Sequence, residues 1–128
     1  MQKPPVTILL VDDDPLIRSL GRELLEHLGY RVEVAANGPE ALDLFGRLPM
    51  VDLVVLDYYL PGENGLEVLE QLKVLDPGVK VLIASGSFHP QEVPRLQEAG
   101  AAGLIYKPYR VAELESRISA VLAGLAGF

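Results

Sequence analysis

The sequence predicts an α/β fold, a doubly wound parallel sheet of the (βα)5 type. Strand and helix signals alternate five times along the 128 residues, without a repeat or low-complexity tract. Most strand signals are short runs that are apolar almost throughout, as in strands buried on both faces of a parallel sheet. The connections are short, and right-handed crossovers then place helices on both faces of that sheet.

The first strand is predicted over residues 6–11, where Val, Ile and Leu predominate. Asp14 is a suitable N-cap with Pro15 at the first helical position, and Gly29 ends the helix that they begin. Residues 31–35 alternate polar and apolar side chains, which indicates a strand with one wetter face at the edge of the sheet.

The middle of the chain predicts two more helices and two more strands. A helix begins at Asn37-Gly38-Pro39, and a strand follows at residues 53–56. Residues 61–65, Pro-Gly-Glu-Asn-Gly, are predicted as a loop that leads into a third helix. Asp76-Pro77-Gly78 ends that helix, and residues 79–84 form the fourth strand.

The fourth helix is the least regular of the five. Pro90 and Pro94 do not both fit one undistorted helix, so this helix is expected to start late or to be deformed. A fifth strand at residues 104–106 and a final helix with an apolar face complete the pattern.

Composition and charge limit the possible functions. One domain is predicted over residues 6–123, with terminal extensions at 1–5 and 124–128, and an apolar content of 49% excludes a disordered chain. The net charge of −7 argues against direct nucleic-acid binding through a basic surface, and no apolar stretch approaches the roughly 20 residues of a membrane span. Since the chain has no cysteine and no signal peptide, a cytoplasmic location without membrane attachment is expected.

Five polar residues stand where an apolar run ends: Asp12, Asp13, Asp57, Ser85 and Lys107. The carboxyl ends of parallel strands form the ligand crevice of such sheets, so these side chains are expected to converge at one edge. Two carboxylates ~4 Å apart repel by roughly 4 kcal/mol at an effective dielectric constant of about 20. A divalent cation removes that repulsion, and oxygen ligands without cysteine favour Mg²⁺ or Mn²⁺ over Zn²⁺. This set predicts phosphoryl chemistry on an aspartate.

Each of these residues has a simpler interpretation when it is taken alone. Asp12 and Asp13 before Pro15 are compatible with acids that only stabilise a helix N-terminus. Lys107 is compatible with a solvated surface charge, although Pro108 restricts the backbone beside it and the bond between them can be cis. The prediction depends on the convergence of all five residues.

The residues around these positions form five motifs: Val11-Asp12-Asp13-Asp14, residues 52–62, residues 64–69, Ser85-Gly86 and Lys107-Pro108-Tyr109. In this order they resemble the receiver domain of two-component response regulators, over about residues 6–122. The expected fold is then flavodoxin-like, with strand order 2-1-3-4-5.

Carried over residue by residue, the resemblance implies a phosphoacceptor and a cation site. Asp57 is the implied phosphoacceptor, and Mg²⁺ (or Mn²⁺) is the implied cofactor. Asp13 would bind the cation directly and Asp12 through water. Asp57 is also among the implied metal residues, and the backbone carbonyl of Tyr59 would complete the protein ligands. Asp14 is expected to cap a helix and not to bind the metal.

Ser85 and Lys107 match the family's phosphoryl-binding hydroxyl residue and lysine. One position departs from the family pattern, because an aromatic residue usually stands three before the lysine and this chain has Leu104 there. The nearby aromatic residue is Tyr106, one before Lys107. Leu104 and Tyr106 are therefore the candidate switch residues, and the activation geometry is expected to differ from that of the family.

The implied function is a signalling switch. A histidine kinase or a histidine phosphotransfer protein would donate the phosphoryl group from a phosphohistidine to Asp57, and the acyl phosphate would later hydrolyse. The domain would catalyse only its own phosphorylation and dephosphorylation, so a turnover enzyme is not expected. The output would pass to an unknown partner or to a domain that is absent from this chain, and the sequence does not indicate which.

Two other functions fit the sequence less well. An aspartyl-phosphate phosphatase of the haloacid dehalogenase type needs a second acid two residues after the nucleophile, where this chain has Tyr59. An FMN-binding protein of the same topology needs a phosphate-cradling loop after the first strand, where Asp12-Asp13-Asp14 would repel the phosphate.

Overall fold

The computed structural model describes residues 5–128 and confirms the (βα)5 fold. Each of the five long strands begins within two residues of its predicted start. The elements are β1 (Thr7–Val11), α1 (Pro15–His27), β2 (Arg31–Ala35), α2 (Gly38–Arg47), β3 (Leu53–Asp57), β4 (Tyr59–Leu60), β5 (Glu63–Asn64), α3 (Gly65–Leu75), β6 (Val81–Ser85), α4 (Glu92–Glu98), β7 (Gly103–Tyr106) and α5 (Val111–Leu122).

The five long strands form one parallel sheet in the order β2-β1-β3-β6-β7. When the short strands β4 and β5 are left out of the numbering, this is the predicted order 2-1-3-4-5. β1 lies between β2 and β3, and its Leu10 is in register with Val34 on one side and Val55 on the other. The predicted edge position of β2 is confirmed.

Buried side chains form two clusters, one on each face of the sheet. One cluster packs against α2, α3 and α4, and the other against α1 and α5. Successive residues of a strand point to opposite faces, so the central strands need apolar side chains at every position. Leu9 and Leu10 of β1, for example, are both fully buried and belong to different clusters.

Side-chain caps begin three of the helices where the sequence predicts them. The Asp14 carboxylate accepts hydrogen bonds from the backbone N–H groups of Leu16 and Ile17, at 2.9 and 3.3 Å. Asn37 caps α2 and Asn64 caps α3 in the same way. These caps place the start of each helix directly after the carboxyl end of a strand or after the hairpin that follows β3.

The predicted loop at residues 61–65 is wrong in part, because its centre belongs to a hairpin. Tyr59–Leu60 and Glu63–Asn64 pair as two antiparallel strands, and Gly62 has a φ of +80° in the turn between them. The alternation that marks longer strands cannot appear in two residues, so the sequence carries no periodic signal for this hairpin.

The prolines predicted that α4 would either start late or be deformed, and it starts late. It begins at Glu92, after Pro90, so that Pro94 falls in its first turn. The backbone N–H groups of a first turn have no partner within the helix, and a proline there breaks no hydrogen bond.

Residues 124–128, predicted as a terminal extension, contact the sheet through Gly127. The N–H of Gly127 donates to the carbonyl of Ala102 at 2.9 Å, and the N–H of Leu104 donates to the carbonyl of Gly127 at 3.2 Å. Gly103 and Gly127 form a parallel bridge, so this segment continues the sheet beside β7. Residues 1–4 of the predicted N-terminal extension lie outside the described residues. Within residues 5–128, none of the helices is long and apolar enough to cross a membrane.

Candidate functional site

Three carboxylates meet at the carboxyl edge of the sheet, as the sequence predicts. Asp12 follows β1, Asp13 comes next, and Asp57 ends the neighbouring strand β3. One oxygen from each of the three lies within 4.8 Å of the others. Asp12 and Asp57 are buried, whereas Asp13 is exposed. The cluster therefore has two buried carboxylates and one that is open to solvent.

Lys107 follows the edge strand β7, and its side chain contacts two of these carboxylates. Its Nζ lies 3.2 Å from Oδ2 of Asp12 and 3.1 Å from Oδ2 of Asp57. The residue follows β7, and its backbone N–H donates to the carbonyl of Ser85 at 2.8 Å, which holds it against the end of β6. The peptide bond to Pro108 is cis. The prediction that Lys107 pairs with an aspartate is confirmed.

Burial determines the electrostatics of this site. It raises the pKa of Asp57 to about 6, and the hydrogen bond and charge of Lys107 only partly oppose it. Burial lowers the pKa of Lys107, but its contacts with Asp57 and Asp12 outweigh that effect and raise it overall. Three carboxylates and one ammonium leave a net charge of −2 when all four are ionised. An oxygen-only set with excess negative charge fits a hard divalent cation such as Mg²⁺.

Backbone and arginine contacts hold Asp12 in place. Its carboxylate accepts the N–H of Asp14 at 3.0 Å, and its own N–H donates to the carbonyl of Ala35 at 3.1 Å. Nη1 of Arg18 in α1 donates to the carbonyl of Asp12 at 2.8 Å. Sequence reasoning missed Arg18, although its position one helical turn after the Asp14 cap is compatible with such a contact. The predicted role of Asp14 as a cap is confirmed.

Tyr59 lies beside Asp57 through the backbone. Its N–H lies 3.4 Å from Oδ1 of Asp57, a long hydrogen bond, and the residue begins the β4–β5 hairpin. Its side chain is exposed, and its ring contacts that of Tyr58 edge-on, with centroids 5.0 Å apart. The hairpin therefore sets where the backbone of Tyr59 lies relative to the acid cluster.

Ser85 is at the expected edge, but its hydroxyl bonds elsewhere. The residue is buried at the end of β6, next to the end of β3. Its Oγ donates to the carbonyl of Ser87 at 2.7 Å and lies 3.3 Å from the N–H of the same residue. The structure thus brings Ser85 to the site while its hydroxyl holds the start of the loop before α4.

Leu104 and Tyr106 occupy different environments on one side of β7. Leu104 is buried in the cluster that faces α2, α3 and α4, whereas Tyr106 is 44% exposed. The ring of Tyr106 contacts Phe88 edge-on at 5.4 Å between centroids, and Phe88 in turn contacts Tyr58 at 6.4 Å. Sequence reasoning missed Phe88, because a single aromatic residue in a loop has no periodic signal.

Tyr109 lies under the site with a hydroxyl that has no hydrogen-bond partner within the described part of the chain. The residue is buried, and a Cβ at Gly21 of α1 would lie 3.1 Å from its ring. Burial, together with the charges of Asp12 and Asp57, raises its pKa. The tyrosine is therefore a neutral neighbour of the carboxylates.

Comparison with known proteins identifies the family of this chain. The family model described as the response regulator receiver domain matches residues 8–119. The chain belongs to this family, and it is a receiver domain of the response regulators that two-component systems use as phosphorylation-dependent signalling switches.

Individual relatives support the same assignment. A putative transcriptional regulator of Pseudomonas aeruginosa is 41% identical over 122 residues, covering 94% of this chain and 58% of that protein. Sporulation initiation phosphotransferase F of Bacillus subtilis is 35% identical, with 90% of this chain and 92% of that protein covered. Among solved structures, the chemotaxis protein CheY of Borrelia burgdorferi, in its complex with CheX, BeF₃ and Mg²⁺, is 27% identical with a TM-score of 0.86 and covers 91% of this chain and 89% of that one.

The chain spans about half the length of several curated relatives that it matches. The match to the B. subtilis phosphotransferase is different, since there the two proteins cover each other almost completely.

Proposed function

We propose that Asp57 accepts a phosphoryl group from the phosphohistidine of a histidine kinase or a histidine phosphotransfer protein, and that the phosphorylated chain acts on an output partner. The observation that carries the proposal is the cluster itself. Asp12, Asp13 and Asp57 have oxygens within 4.8 Å of one another, and Lys107 contacts two of them. Such a grouping of like charges is destabilising for a metal-free fold and suits a site that binds a cation and a phosphoryl group.

The cation proposed for this site is Mg²⁺ or Mn²⁺. Asp13 and Asp57 would hold it directly with the carbonyl of Tyr59, and Asp12 through water. When bound, the cation neutralises the charge that develops on the phosphoryl oxygens. The CheY of Borrelia burgdorferi was solved with BeF₃ and Mg²⁺, and a likeness over nine-tenths of this chain supports the same ligands here.

The chain's own residues carry out the transfer. A carboxylate oxygen of Asp57 attacks the phosphorus atom, the bond from phosphorus to the imidazole nitrogen breaks, and the donor histidine keeps the electron pair. Nζ of Lys107, now 3.1 Å from Asp57, is placed to follow the charge onto a phosphoryl oxygen. The hydroxyl of Ser85 donates to a second phosphoryl oxygen and gives up its bond to Ser87 in doing so.

Water later attacks the phosphorus of the acyl phosphate and releases inorganic phosphate, which regenerates the Asp57 carboxylate. The chain therefore catalyses only its own modification and its reversal. The acyl phosphate is the state that the output partner would recognise.

Loss of the Ser85–Ser87 bond links the site to the loop before α4. Phe88 of that loop packs against Tyr106, so the proposed switch uses this contact where the family pattern has an aromatic residue at the position of Leu104. Leu104 stays buried, and the change is a shift in the population of loop conformations.

Intact-mass spectrometry after treatment with acetyl phosphate tests the proposed function. The expected result is one added phosphoryl group in the presence of Mg²⁺, none with EDTA, and none in Asp57→Asn. An unmodified wild-type protein, or equal labelling of the variant, contradicts the proposal.

A further inference from the structure

The β4–β5 hairpin connects the acid cluster to a distant helix through the side chain of Glu63. The hairpin begins two residues after Asp57 and carries Tyr59, whose carbonyl is a proposed cation ligand. Two contacts attach the hairpin to the core and to the residues that flank it in sequence. Leu60 is buried in the core, and the N–H of Gly65 donates to the carbonyl of Tyr58 at 2.6 Å.

A third contact leads to α2. Gly38, the first residue of that helix, is buried, and the carboxylate of Glu63 occupies the space that a side chain at this position would take. A Cβ built on Gly38 would lie 2.8 Å from Cδ of Glu63 and closer still to its Oε1.

The Glu63–Gly38 contact links segments that follow the strands on either side of β1. The hairpin follows β3, α2 follows β2, and β1 lies between these two strands. Asp12 and Asp13 follow β1, and the N–H of Asp12 donates to the end of β2. The Glu63–Gly38 contact therefore joins the two sides of the cluster and restricts how far the hairpin can move away from it.

We infer that Glu63 is a positioning residue for the cation site, which acts by holding the hairpin that carries Tyr59. The inference rests on the proposed function, since it requires that the site binds Mg²⁺. Glu63 itself lies outside the group of three acids whose oxygens approach within 4.8 Å. Its effect is on the placement of a ligand and not on ligation.

The glycines of α2 provide a matched pair of variants. Gly38→Ala displaces the carboxylate of Glu63 without removing it, and its Cβ would also lie 2.9 Å from Cγ2 of the buried Val68 in α3. Gly46→Ala is the control, because it lies in the same helix and a Cβ there meets no atom within 4 Å. Glu63→Ala removes the contact, and Glu63→Gln keeps its shape without its charge.

Calorimetric titration of Mg²⁺ tests the inference. Glu63→Ala and Gly38→Ala should each weaken Mg²⁺ binding by roughly threefold to tenfold, at or below the lower end of the losses that follow removal of groups that orient metal ligands. The double variant should bind as Glu63→Ala does, because both changes remove one contact. Glu63→Gln should stay within about twofold of wild type, as should Gly46→Ala. In EDTA, amide hydrogen exchange at residues 59–64 should accelerate in Glu63→Ala and Gly38→Ala but not in Glu63→Gln.

Three results overturn the inference. Wild-type affinity in Glu63→Ala shows that the contact does not matter. An affinity of Glu63→Gln as low as that of Glu63→Ala shows that the charge acts at long range without positioning. Additive losses in the double variant show two separate effects. Failure of the wild-type protein to bind Mg²⁺ contradicts the proposed function instead.

Discussion

At the scale of single residues, the carboxylate of Asp57 is held where its charge is unfavourable. It is 2% exposed, and burial raises its pKa from 3.8 to about 6 in spite of Lys107. The folded protein therefore binds this proton more tightly than the unfolded chain does. As the pH rises from about 4 to about 6 the ionised carboxylate increasingly destabilises the metal-free fold, and above about pH 7 the effect is complete.

Asp57→Asn should consequently stabilise the metal-free protein. At pH 7.5 in EDTA its free energy of unfolding should exceed that of wild type by roughly 3 kcal/mol, since each pKa unit corresponds to about 1.4 kcal/mol. The gain should shrink towards pH 4, where the wild-type carboxyl is protonated in the folded state. Urea unfolding at both pH values measures this, and an equal or lower stability of the variant at pH 7.5 would show that the carboxylate is well compensated.

Tyr109→Phe is a second change at this scale with a definite sign. The hydroxyl of Tyr109 is buried without a hydrogen-bond partner among residues 5–128, so its removal relieves a desolvation penalty. The free energy of unfolding should rise by about 1 kcal/mol. A loss of stability in urea unfolding would mean that a bound water satisfies the hydroxyl.

At the scale of elements, backbone contacts hold the segment after α5 against the sheet. The segment after α5 turns back at Gly124, which has a φ of +86°, and pairs beside β7 through Gly127. Arg117 donates to the carbonyl of Gly127 as well. A Cβ on Gly103 would lie 2.7 Å from backbone atoms of Gly127, so β7 needs a glycine here to accept this neighbour.

Gly103→Ala should therefore displace the C-terminal segment. The expected loss is about 1–3 kcal/mol in the free energy of unfolding, as for other insertions into well-packed sites. Gly46→Ala is the control and should be neutral or slightly stabilising, since it adds a better helix former in open space. Hydrogen exchange at the Leu104 amide, which donates to Gly127, should accelerate only in the first variant. Unchanged protection there would show that the pairing is not maintained in solution.

The loop before α4 is the element expected to respond to phosphorylation. Ser85 cannot donate its one hydroxyl hydrogen both to Ser87 and to a phosphoryl oxygen, so occupancy of the site should release the loop. Tyr106→Leu removes the ring that packs on Phe88 and should reduce the backbone NMR shift changes that beryllofluoride and Mg²⁺ cause at residues 86–92. Leu104→Phe serves as the comparison. Shift changes that Tyr106→Leu leaves untouched would assign no switching role to Tyr106.

At the scale of the whole molecule, most of the fold and the acid cluster could be predicted from the sequence. The order of the strands follows from apolar runs and short connections, and the convergence of Asp12, Asp57 and Lys107 follows from that order. Prediction failed for features that depend on contacts between distant backbones, where neither periodicity nor composition carries a signal. The β4–β5 hairpin and the pairing of Gly127 with β7 are of this kind. The hydroxyl bond of Ser85 is another, because several acceptors were available and only the folded loop selects one.

The most direct test of the central claim locates the phosphoryl group. Wild-type protein treated with acetyl phosphate and Mg²⁺ is reduced with borohydride, which converts an aspartyl phosphate to homoserine, and the peptides are sequenced by mass spectrometry. Homoserine should appear at position 57 alone, and it should be absent when EDTA replaces Mg²⁺. Reduction at position 12 or 13, or labelled protein with Asp57 intact, would contradict the assignment of Asp57 as the phosphoacceptor.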